Sequence, residues 1–376
     1  MSMPDTSNSM AGDGEPLANA RLINYADAIR EGLATAMEND PSVFLMGEGI
    51  ADPASFFGTT KGLLDQFGAA RAVEMPIAEN GMVGVAIGAA LSGQRPVISL
   101  HRVEFALLAI EQIVNNAAKS HYVSNGRHKV PLVIRMIVGR GWGQGPEHSQ
   151  SLESIFGHFP GLKVMMPTMP MDAKGMLIAA IEDDSPVISI EHRWLHYSEG
   201  HVPEGHYVTA LDGPAVLRPG GDVTIVGTSY MNLEALRAAE VLAEVGCEVE
   251  LIDLRMVRPL NMAPILESVG RTGRLLTVDS SWAAFGTGAE VCAQVAEHAF
   301  SALKAPPRRM ALANHPTPSS RGMVPGFYPD SISIAQAVGE LCGLSASDVG
   351  AVVSKLVEMN GDQPIDTPNA YFKGPF

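Results

Sequence analysis

The sequence predicts an α/β protein of two domains, each with a mainly parallel sheet that helices cover on both faces. Short apolar runs alternate with helical patterns along most of the chain, an order typical of parallel β-α units. The 376 residues are enough for two buried cores. From about residue 193 to residue 221 this alternation stops and Gly, Pro and His accumulate, which indicates a linker.

We therefore expect the chain to contain five segments. They are a flexible tail at 1–20, a first domain at 21–205, a linker at 206–221, a second domain at 222–344 and a C-terminal extension at 345–376. The tail has neither a basic start nor an apolar stretch, so it is not expected to be a signal peptide.

The composition narrows the class of protein. Hydrophobic residues make up 46% of the chain and charged residues 18%, as in folded globular proteins and unlike disordered ones. The net charge of -15 argues against nucleic-acid binding, which needs a basic surface. This acidity either keeps the surface soluble or suits a basic partner. Three widely spaced cysteines predict a reducing, cytoplasmic location without disulfides, and no apolar run reaches the ~18 residues of a membrane helix.

The first domain is expected to begin with an amphipathic helix. Apolar residues recur at helical spacing from Leu22 to Met37, and Asn24 can cap the helix with Asp27 in its first turn. The apolar run 43–46 then predicts a buried strand. The same two patterns continue, and they predict helices at 79–93, 104–119 and 172–182 and strands at 96–100, 131–138, 163–166 and 187–191.

The second domain repeats this alternation. Its patterns predict strands at 222–226, 248–254, 275–279 and 309–313 and helices at 232–245 and 288–302. In the extension we expect a helix at 345–359 and then an extended arm at 363–376.

Two polar residues stand where ligands often bind in parallel sheets, after a predicted strand or at the start of a helix. Glu79 begins a helix of small residues, and His148 ends a glycine-rich loop after the strand at 131–138. Taken singly, Glu79 equally serves to favour the N-terminus of its helix, and His148 fits an ordinary surface residue.

Several short blocks resemble, in the same order, β subunits of thiamine-diphosphate-dependent 2-oxo acid dehydrogenase E1 components. The blocks are MPIAENG at 75–81, GVAIGAA at 84–90, EQIVNNAAK at 111–119, VPLVIR at 130–135, EHSQS at 147–151, PGLKV at 160–164, DAKG at 172–175 and IDLR at 252–255 with Pro259. No single block is decisive, but so many blocks in the order of the family make the resemblance specific. The resemblance covers residues 22–341. The family includes the β subunits of pyruvate, branched-chain 2-oxo acid and acetoin dehydrogenases, and transketolase is a more distant relative.

This resemblance implies a transketolase-like pyrimidine-binding domain followed by a transketolase C-terminal domain. It implies an oxidoreductase that decarboxylates a small-molecule 2-oxo acid with thiamine diphosphate and passes the acyl group to a lipoyl-bearing acyltransferase E2. The β chain would share its active site with an E1 α subunit in an α2β2 heterotetramer, and the α subunit would hold the Mg²⁺ ion. Neither nucleic acid nor a membrane is expected as a partner.

One motif in the tail matches a known magnesium-binding pattern, but its position in the chain argues against that role. In thiamine-diphosphate enzymes, Gly-Asp-Gly followed at a distance by Asn binds magnesium and diphosphate, and Gly12-Asp13-Gly14 with Asn39 matches that spacing. A magnesium carboxylate is expected at the end of a buried strand. Asp13 instead follows a polar stretch and Asn39 ends a helical pattern, so we expect no magnesium site here.

The resemblance also implies roles for individual residues. Glu79 matches the glutamate that hydrogen-bonds the aminopyrimidine ring of the cofactor and exchanges a proton with it. Phe105 matches the aromatic residue that stacks on this ring, with ordinary core packing as the alternative. His148 matches the active-site histidine that orients substrate or assists proton and acyl transfer. Glu48 is a weaker candidate for lining the cofactor cleft.

Some members of the family hold a structural potassium ion (K⁺) with backbone and side-chain oxygens. The matching residues here are Leu132, Ala180, Ile181, Asp183 and Ser185. The last position usually carries Asn, so this chain departs from the pattern there.

Other departures concern the substrate and the chain end. His101 and Arg102 stand where the family usually has apolar or uncharged residues, the loop at 140–144 differs from its commonest versions, and the arm beyond Leu344 is longer than usual. Extra cationic and polar groups near a substrate channel predict a polar or anionic 2-oxo acid.

Two alternatives stay open at this point. One is half of a split transketolase-like enzyme acting on sugars or acetoin-type substrates, in which His101, Arg102 and His315 would bind hydroxyl and phosphate groups. The other is a non-catalytic scaffold or regulatory paralogue, against which the joint presence of the three matching site residues argues.

Overall fold

The computed structural model describes residues 20–53, 55–141, 143–362 and 366–367 of the chain. It divides into two compact units. The first contains the described residues up to Gly139 together with Ile155–Leu211, and the second contains Arg140–Ser154 and the described part of Asp212–Thr367. The Gly12-Asp13-Gly14 motif, nearly all of the expected tail and most of the arm at 363–376 lie outside the described residues.

Between residues 20 and 211, strands and helices alternate as the sequence pattern indicates. The elements are β1 (Ala20–Asn24), α1 (Tyr25–Asn39), β2 (Val43–Gly47), α2 (Leu63–Phe67), β3 (Ala72–Glu74), α3 (Glu79–Leu91), β4 (Arg95–Leu100), α4 (Ala118–Val123), β5 (Val133–Val138), α5 (Glu153–Gly157), β6 (Lys163–Met165), α6 (Pro170–Glu182), β7 (Val187–His192) and β8 (Glu199–Pro203).

The main sheet of the first unit is parallel and has the strand order β3-β2-β4-β5-β7-β6. Its central strands are almost completely buried, as expected where helices cover both faces. A separate antiparallel pair is formed by β1 and β8. Because the strands of the main sheet are parallel, their carboxyl ends meet at one edge, and polar residues that follow different strands gather there.

The first helix shows how tertiary pairing shifts a boundary. Asn24 caps α1 as predicted, because its side-chain oxygen accepts a hydrogen bond from the Asp27 amide at 2.8 Å. Leu22, however, belongs to β1 and is 58% exposed. The helix begins after its cap and not at the first apolar residue, since pairing with β8 satisfies the backbone of residues 20–24.

The stretch 104–119 is helical but is not the single α-helix that its pattern predicts. A 3-10 helix at Phe105–Ala109 is followed by a π-helix at Gln112–Ala117 and then by α4. The Leu108 carbonyl accepts a hydrogen bond at 3.3 Å from the side-chain amide of Asn80 in α3. This tertiary bond competes with the α-helical ladder where the pitch changes.

A buried ion pair joins two neighbouring strands of the first unit. The Arg135 guanidinium on β5 donates two hydrogen bonds, at 2.7 and 3.0 Å, to the Glu191 carboxylate on β7, and both side chains are 2% exposed. The Nε2 atom of His196 lies 3.2 Å from the same carboxylate. Burial alone would raise the pKa of Glu191, but the Arg135 charge and these hydrogen bonds lower it to about 2. The pair therefore stays ionised inside the sheet.

Between residues 212 and 362 the alternation continues. The elements are β9 (Ala215–Arg218), β10 (Val223–Gly227), α7 (Met231–Ala243), β11 (Val249–Asp253), β12 (Met256–Arg258), α8 (Ala263–Thr272), β13 (Leu275–Trp282), α9 (Thr287–His298), β14 (Arg308–Leu312), α10 (Ser331–Cys342) and α11 (Ala346–Asn360).

The sheet of the second unit has the strand order β14-β13-β10-β11-β9. Its strands are parallel except that β9, which falls in the segment predicted as a linker, runs antiparallel to β11. Strands and helices contribute to one apolar core that includes Val226, Ile252, Ile265, Leu275 and Val291.

The C-terminal extension contributes a helix that packs on the second unit. Ser345 caps α11 with its hydroxyl, at the position where the sequence predicts a helix to begin. Val352 and Leu356 are buried. Val349 lies so close to Gly339 of α10 that a Cβ on this glycine would come within 2.6 Å of it. The extension is therefore part of the folded unit up to the end of α11.

Breaking the ion pair in the first unit is expected to destabilise the protein strongly. Replacement of Arg135 by Met leaves the Glu191 carboxylate buried without its partner, which costs on the order of 3–5 kcal/mol. The double replacement of Arg135 by Met and Glu191 by Leu removes both charges and is expected to recover most of this loss. Denaturant unfolding of both variants measures the two changes, and a single variant as stable as the wild type would contradict the assignment.

Candidate functional site

Two carboxylates lie together at the carboxyl end of β2 in the first unit. Glu48 follows the last residue of β2, and Glu79 is the first residue of α3 and is 5% exposed. Burial raises the pKa of Glu48 to about 6, with further contributions from the negative charges of Glu79 and Glu74. The structure thus makes neighbours of two carboxylates that are far apart in the sequence.

Close contacts hold the backbone around Glu48. Gly47 has a φ of 156°, and a Cβ there would lie 2.4 Å from the Ser99 carbonyl oxygen of β4, so only glycine fits. The Glu74 carboxylate accepts hydrogen bonds from two amides of the turn after Glu48, at 2.9 and 2.7 Å. These contacts fix the position from which Glu48 extends.

Phe105 belongs to a segment that contacts α3. It opens the 3-10 helix at Phe105–Ala109 and is half-buried. The hydrogen bond from Asn80 to the Leu108 carbonyl ties this helix to the residue next to Glu79. Adjacent segments therefore present an aromatic ring and a buried carboxylate.

This arrangement suits a ligand that offers hydrogen-bond donors or positive charge. The Oε1 atom of Glu48 is buried without a hydrogen-bond partner among the described residues, and a group in that state costs about 1–3 kcal/mol unless a ligand pairs with it. A flat ring with an amino group, placed against Phe105, would supply such donors to the two carboxylates. The residues present therefore fit the aminopyrimidine half of thiamine diphosphate.

His148 is carried by a loop that packs on the second unit. Gly145 has a φ of 64°, and a Cβ there would lie 2.2 Å from the Ser319 hydroxyl oxygen, so this position requires glycine. The Thr317 hydroxyl donates a hydrogen bond to the Ser149 carbonyl at 3.4 Å. The predicted site residues thus fall into two groups. The two carboxylates and the aromatic ring belong to the first unit, and the histidine belongs to the second.

A buried carboxyl pair on the second unit was missed by the sequence reasoning. Glu153 is fully buried, and its carboxyl group accepts a hydrogen bond from the Ser151 hydroxyl at 2.7 Å. This hydroxyl also lies 3.1 Å from the Ser280 hydroxyl of β13. Burial and the neighbouring Asp279 raise the pKa of Glu153, which favours its protonated form. The sequence contains one local sign of the pair, an Asp at the end of the apolar run 275–278.

His101 and Arg102 follow β4 at the sheet edge of the first unit, but they differ in charge. Burial and the nearby Arg135 charge lower the pKa of His101 to about 3, so its ring is neutral. Its Nε2 atom lies 3.3 Å from the Ser99 hydroxyl. Burial lowers the pKa of Arg102 and the Glu104 carboxylate opposes this. The guanidinium stays charged because its ordinary pKa is far above neutral. The two positions thus provide one cation, Arg102, and one neutral polar ring, His101.

The residues that the resemblance links to potassium already use several of their oxygens. The Arg95 guanidinium donates hydrogen bonds to the carbonyls of Ile181 and Asp183, at 3.0 and 2.9 Å. The Leu132 carbonyl accepts one from the Val187 amide at 2.8 Å. A guanidinium thus supplies the positive charge that the ion would bring, and the arrangement does not fit a potassium ion.

Within the described ranges, 20–53, 55–141, 143–362 and 366–367, no group of three or more His, Cys, Asp or Glu side chains is placed to hold a metal ion. No helix in these ranges is both long and apolar enough to cross a membrane.

Comparison with known families matches both halves of the chain. Residues 21–197 match the transketolase pyrimidine-binding domain, and residues 214–331 match the transketolase C-terminal domain. Among solved structures, the chain is similar to a split-gene transketolase described as an inactive β4 tetramer. The TM-score is 0.66 and the identity 21%, with 86% of this chain and 99% of that one covered. This likeness shows the fold alone.

Several curated proteins are similar over most of their length. The β subunit of acetoin:2,6-dichlorophenolindophenol oxidoreductase from Cupriavidus necator is 40% identical, with 85% of this chain and 97% of that one covered. The mitochondrial pyruvate dehydrogenase E1 component subunit β-2 of Oryza sativa is 39% identical, with 86% and 88% covered. The mitochondrial pyruvate dehydrogenase E1 component subunit β of Saccharomyces cerevisiae is 37% identical, with 87% and 91% covered.

The raised pKa of Glu48 predicts a pH-dependent stability. A carboxyl whose pKa rises on folding, here from 4.5 to about 6, binds its proton more tightly in the folded state. Stability therefore falls as the pH rises through that interval, and replacement of Glu48 by Gln removes the loss. Thermal unfolding should show that the melting temperature of the variant rises relative to that of the wild type at a pH above this interval. At a pH below the interval, no such rise is expected. Glu111→Gln, at an exposed carboxylate, is the control, and an equal difference at both pH values would contradict the prediction.

Proposed function

Since this chain belongs to the β-subunit family of 2-oxo acid dehydrogenase E1 components, we propose that it supplies one side of a thiamine-diphosphate site. The reaction is oxidative decarboxylation of a 2-oxo acid, with transfer of the acyl group to a lipoyl group. The observation that carries this proposal is the half-buried Glu48 carboxylate next to the buried Glu79 carboxylate, with the half-buried Phe105 on a segment that contacts α3.

We propose that Glu79 holds and exchanges the proton of the aminopyrimidine ring. Its carboxylate is 5% exposed, so bulk water competes little for its hydrogen bonds. At the start of α3 it is fixed by the helix backbone, and it can give a proton to a ring nitrogen or take one back. Thiamine diphosphate, when bound, supplies the electron sink for the loss of carbon dioxide.

The other site residues are proposed to orient the reactants. The Phe105 ring would stack on the pyrimidine, a contact worth about 1 kcal/mol beyond burial. Glu48, with its pKa raised to about 6, would accept hydrogen bonds from the amino group. His148 would orient the substrate or assist proton and acyl transfer.

We propose that a partner chain covers the outer face of α3. This helix has no charged residue after Glu79, and it exposes Val85 by 59% and Leu91 by 48%. Gly88 lies between them, with nothing within 4 Å of a Cβ built there. An exposed apolar surface marks an interaction site, and small residues let a second helix approach closely. The proposed occupant is the E1 α subunit of an α2β2 heterotetramer, which would hold the Mg²⁺ ion.

The acceptor and the location complete the proposal. The acceptor is a lipoyl-bearing acyltransferase E2, and the net charge of -15 would attract its basic segments. A cytoplasmic location is proposed from the free cysteines Cys247, Cys292 and Cys342. The mitochondrial names of some relatives indicate the competing location. The split-transketolase alternative is supported by likeness of fold alone.

Replacement of Glu79 by Gln is expected to lower decarboxylation by the reconstituted α–β complex at least ~100-fold, since an amide cannot exchange the proton. Turnover can be followed as 2-oxo acid-dependent reduction of 2,6-dichlorophenolindophenol. Glu38→Gln, at an exposed carboxylate on α1, is the matched control and should keep full activity. Gel filtration should show that both variants assemble, and full turnover by the Glu79 variant would remove the central claim.

Replacement of Val85 by Asp is expected to weaken assembly with the α subunit by at least about tenfold in Kd, because a charge would have to be buried in the interface. Val208→Asp is the control, since Val208 is 52% exposed in the same unit but does not lie on α3. Titration of labelled β chain with α chain measures both values. Equal weakening by the two variants would rule out this helix face as the interface.

The charge of Arg102 predicts the preferred substrate. We expect the reconstituted enzyme to favour a polar or anionic 2-oxo acid over pyruvate and branched 2-oxo acids. Replacement of Arg102 by Met should then lower kcat/KM for the anionic substrate about tenfold, with a smaller effect on pyruvate. A wild-type enzyme that turns over pyruvate or branched substrates best would contradict this expectation.

A further inference from the structure

We propose that the C-terminal extension positions the loop that carries His148, with Asp366 as the positioning residue. Asp366 holds Arg140, the first residue of that loop within the second unit. The inference rests on the proposed function only for the catalytic consequence, because the contact and its effect on the loop can be measured without activity.

The contact is a shielded ion pair. The Nε atom of Arg140 lies 3.3 Å from the Oδ1 atom of Asp366, and their side chains are 10% and 6% exposed. The two residues are 226 positions apart in the chain. Burial reduces screening by water and salt, and it makes loss of either partner costly because the other charge is left without compensation. The pair is therefore unlike an exposed salt bridge, which contributes little.

Aromatic rings hold the guanidinium from another side. The guanidinium carbon of Arg140 lies 3.8 Å from the centre of the Tyr328 ring and 6.0 Å from that of Tyr230, a cation–π arrangement. The Tyr230 hydroxyl donates a hydrogen bond to Glu234 at 2.9 Å. The same carboxylate accepts one from the Ser331 amide at the start of α10, at 3.0 Å. Arg140 thus docks on a surface that α7 and α10 keep rigid.

The loop itself has little stiffness of its own. Gly141, Gly143 and Gly145 all adopt left-handed φ values, of 86°, 69° and 64°, and a chain with so many glycines has high conformational entropy. Its far end is fastened after His148, where the Ser151 hydroxyl contacts the second unit. Its near end is fastened through Arg140. His148 lies between these anchors, and the Thr317 hydroxyl holds the adjacent Ser149 carbonyl. Release of Arg140 is therefore expected to free the near side of the loop first.

The end of α11 is held on the second unit, and the extension continues from there to Arg140. The Asn360 side-chain oxygen at the end of α11 accepts a hydrogen bond from Arg237 of α7, and Gly361 follows with a φ of 55°. Asp366 is five positions further along the sequence. Two departures from the family pattern, the altered loop at 140–144 and the longer C-terminus, thus meet in one contact.

The expected consequence is a loss of rate more than of binding. Misplacement of a catalytic group by about 1 Å can cost up to about 100-fold. Asp366→Asn keeps the shape of the side chain but removes its charge, and we expect kcat of the reconstituted α–β complex to fall about tenfold with a small change in KM. Asp366→Glu restores the carboxylate and should recover most of kcat. Asp362→Asn, at an exposed carboxylate of the same extension, should behave as the wild type.

A second measurement needs no turnover. Hydrogen–deuterium exchange of peptides covering residues 143–150 in the full-length chain should be faster in Asp366→Asn than in the wild type and in Asp362→Asn. The melting temperature of each variant shows that it is folded. Unchanged exchange in these peptides together with unchanged kcat would overturn the inference. An inactive wild-type complex, or a fully active Glu79→Gln complex, would overturn the proposed function instead, and the exchange result would still decide the role of Asp366.

Discussion

The burial of charge near the carboxyl ends of parallel strands is the constraint on which the rest of this structure depends. In the first unit, Arg135 and Glu191 compensate each other, so ionised groups persist inside an otherwise apolar sheet. Glu48 and Glu79 have the same sign and cannot do this. The compensated pair joins the strands, whereas the uncompensated pair stays ready for a ligand with donors or positive charge. The cost of burying charge thus affects both the stability of the sheet at β5 and β7 and the candidate site after β2.

In the second unit, buried ionisable groups are stabilised in other ways. Burial beside Asp279 favours the protonated form of Glu153, and the Arg140 charge is held by a carboxylate and an aromatic ring. These contacts bracket the loop of His148. The loop follows β5 in the chain, yet its contacts assign it to the second unit. His148 therefore takes its position from contacts within the second unit, and the contact proposed for the C-terminal extension is one of them.

Much of the secondary structure was predictable because its causes are local. Apolar runs of strand length became buried parallel strands, and Asn24 caps the first helix where the pattern places a cap. The errors came from distant contacts. Leu22 pairs in a strand with β8, and the Asn80 hydrogen bond accompanies the change of pitch within 104–119. In both places a tertiary hydrogen bond outweighed a helical pattern that was correct as a statement about the local sequence.

By itself, the sequence determined the two α/β halves, the family and the chemical identity of the main candidates, because periodicity, caps and ordered blocks are written in neighbouring residues. Arg135 also lies inside an apolar run of the sequence. Only the tertiary structure decided that Glu48 and Glu79 are neighbours, that His101 is neutral, and that Arg140 meets Asp366. Each of these depends on residues brought together by strand order and chain closure. A local pattern carries no information about which distant side chain will remove the water, supply the countercharge or take the hydrogen bond.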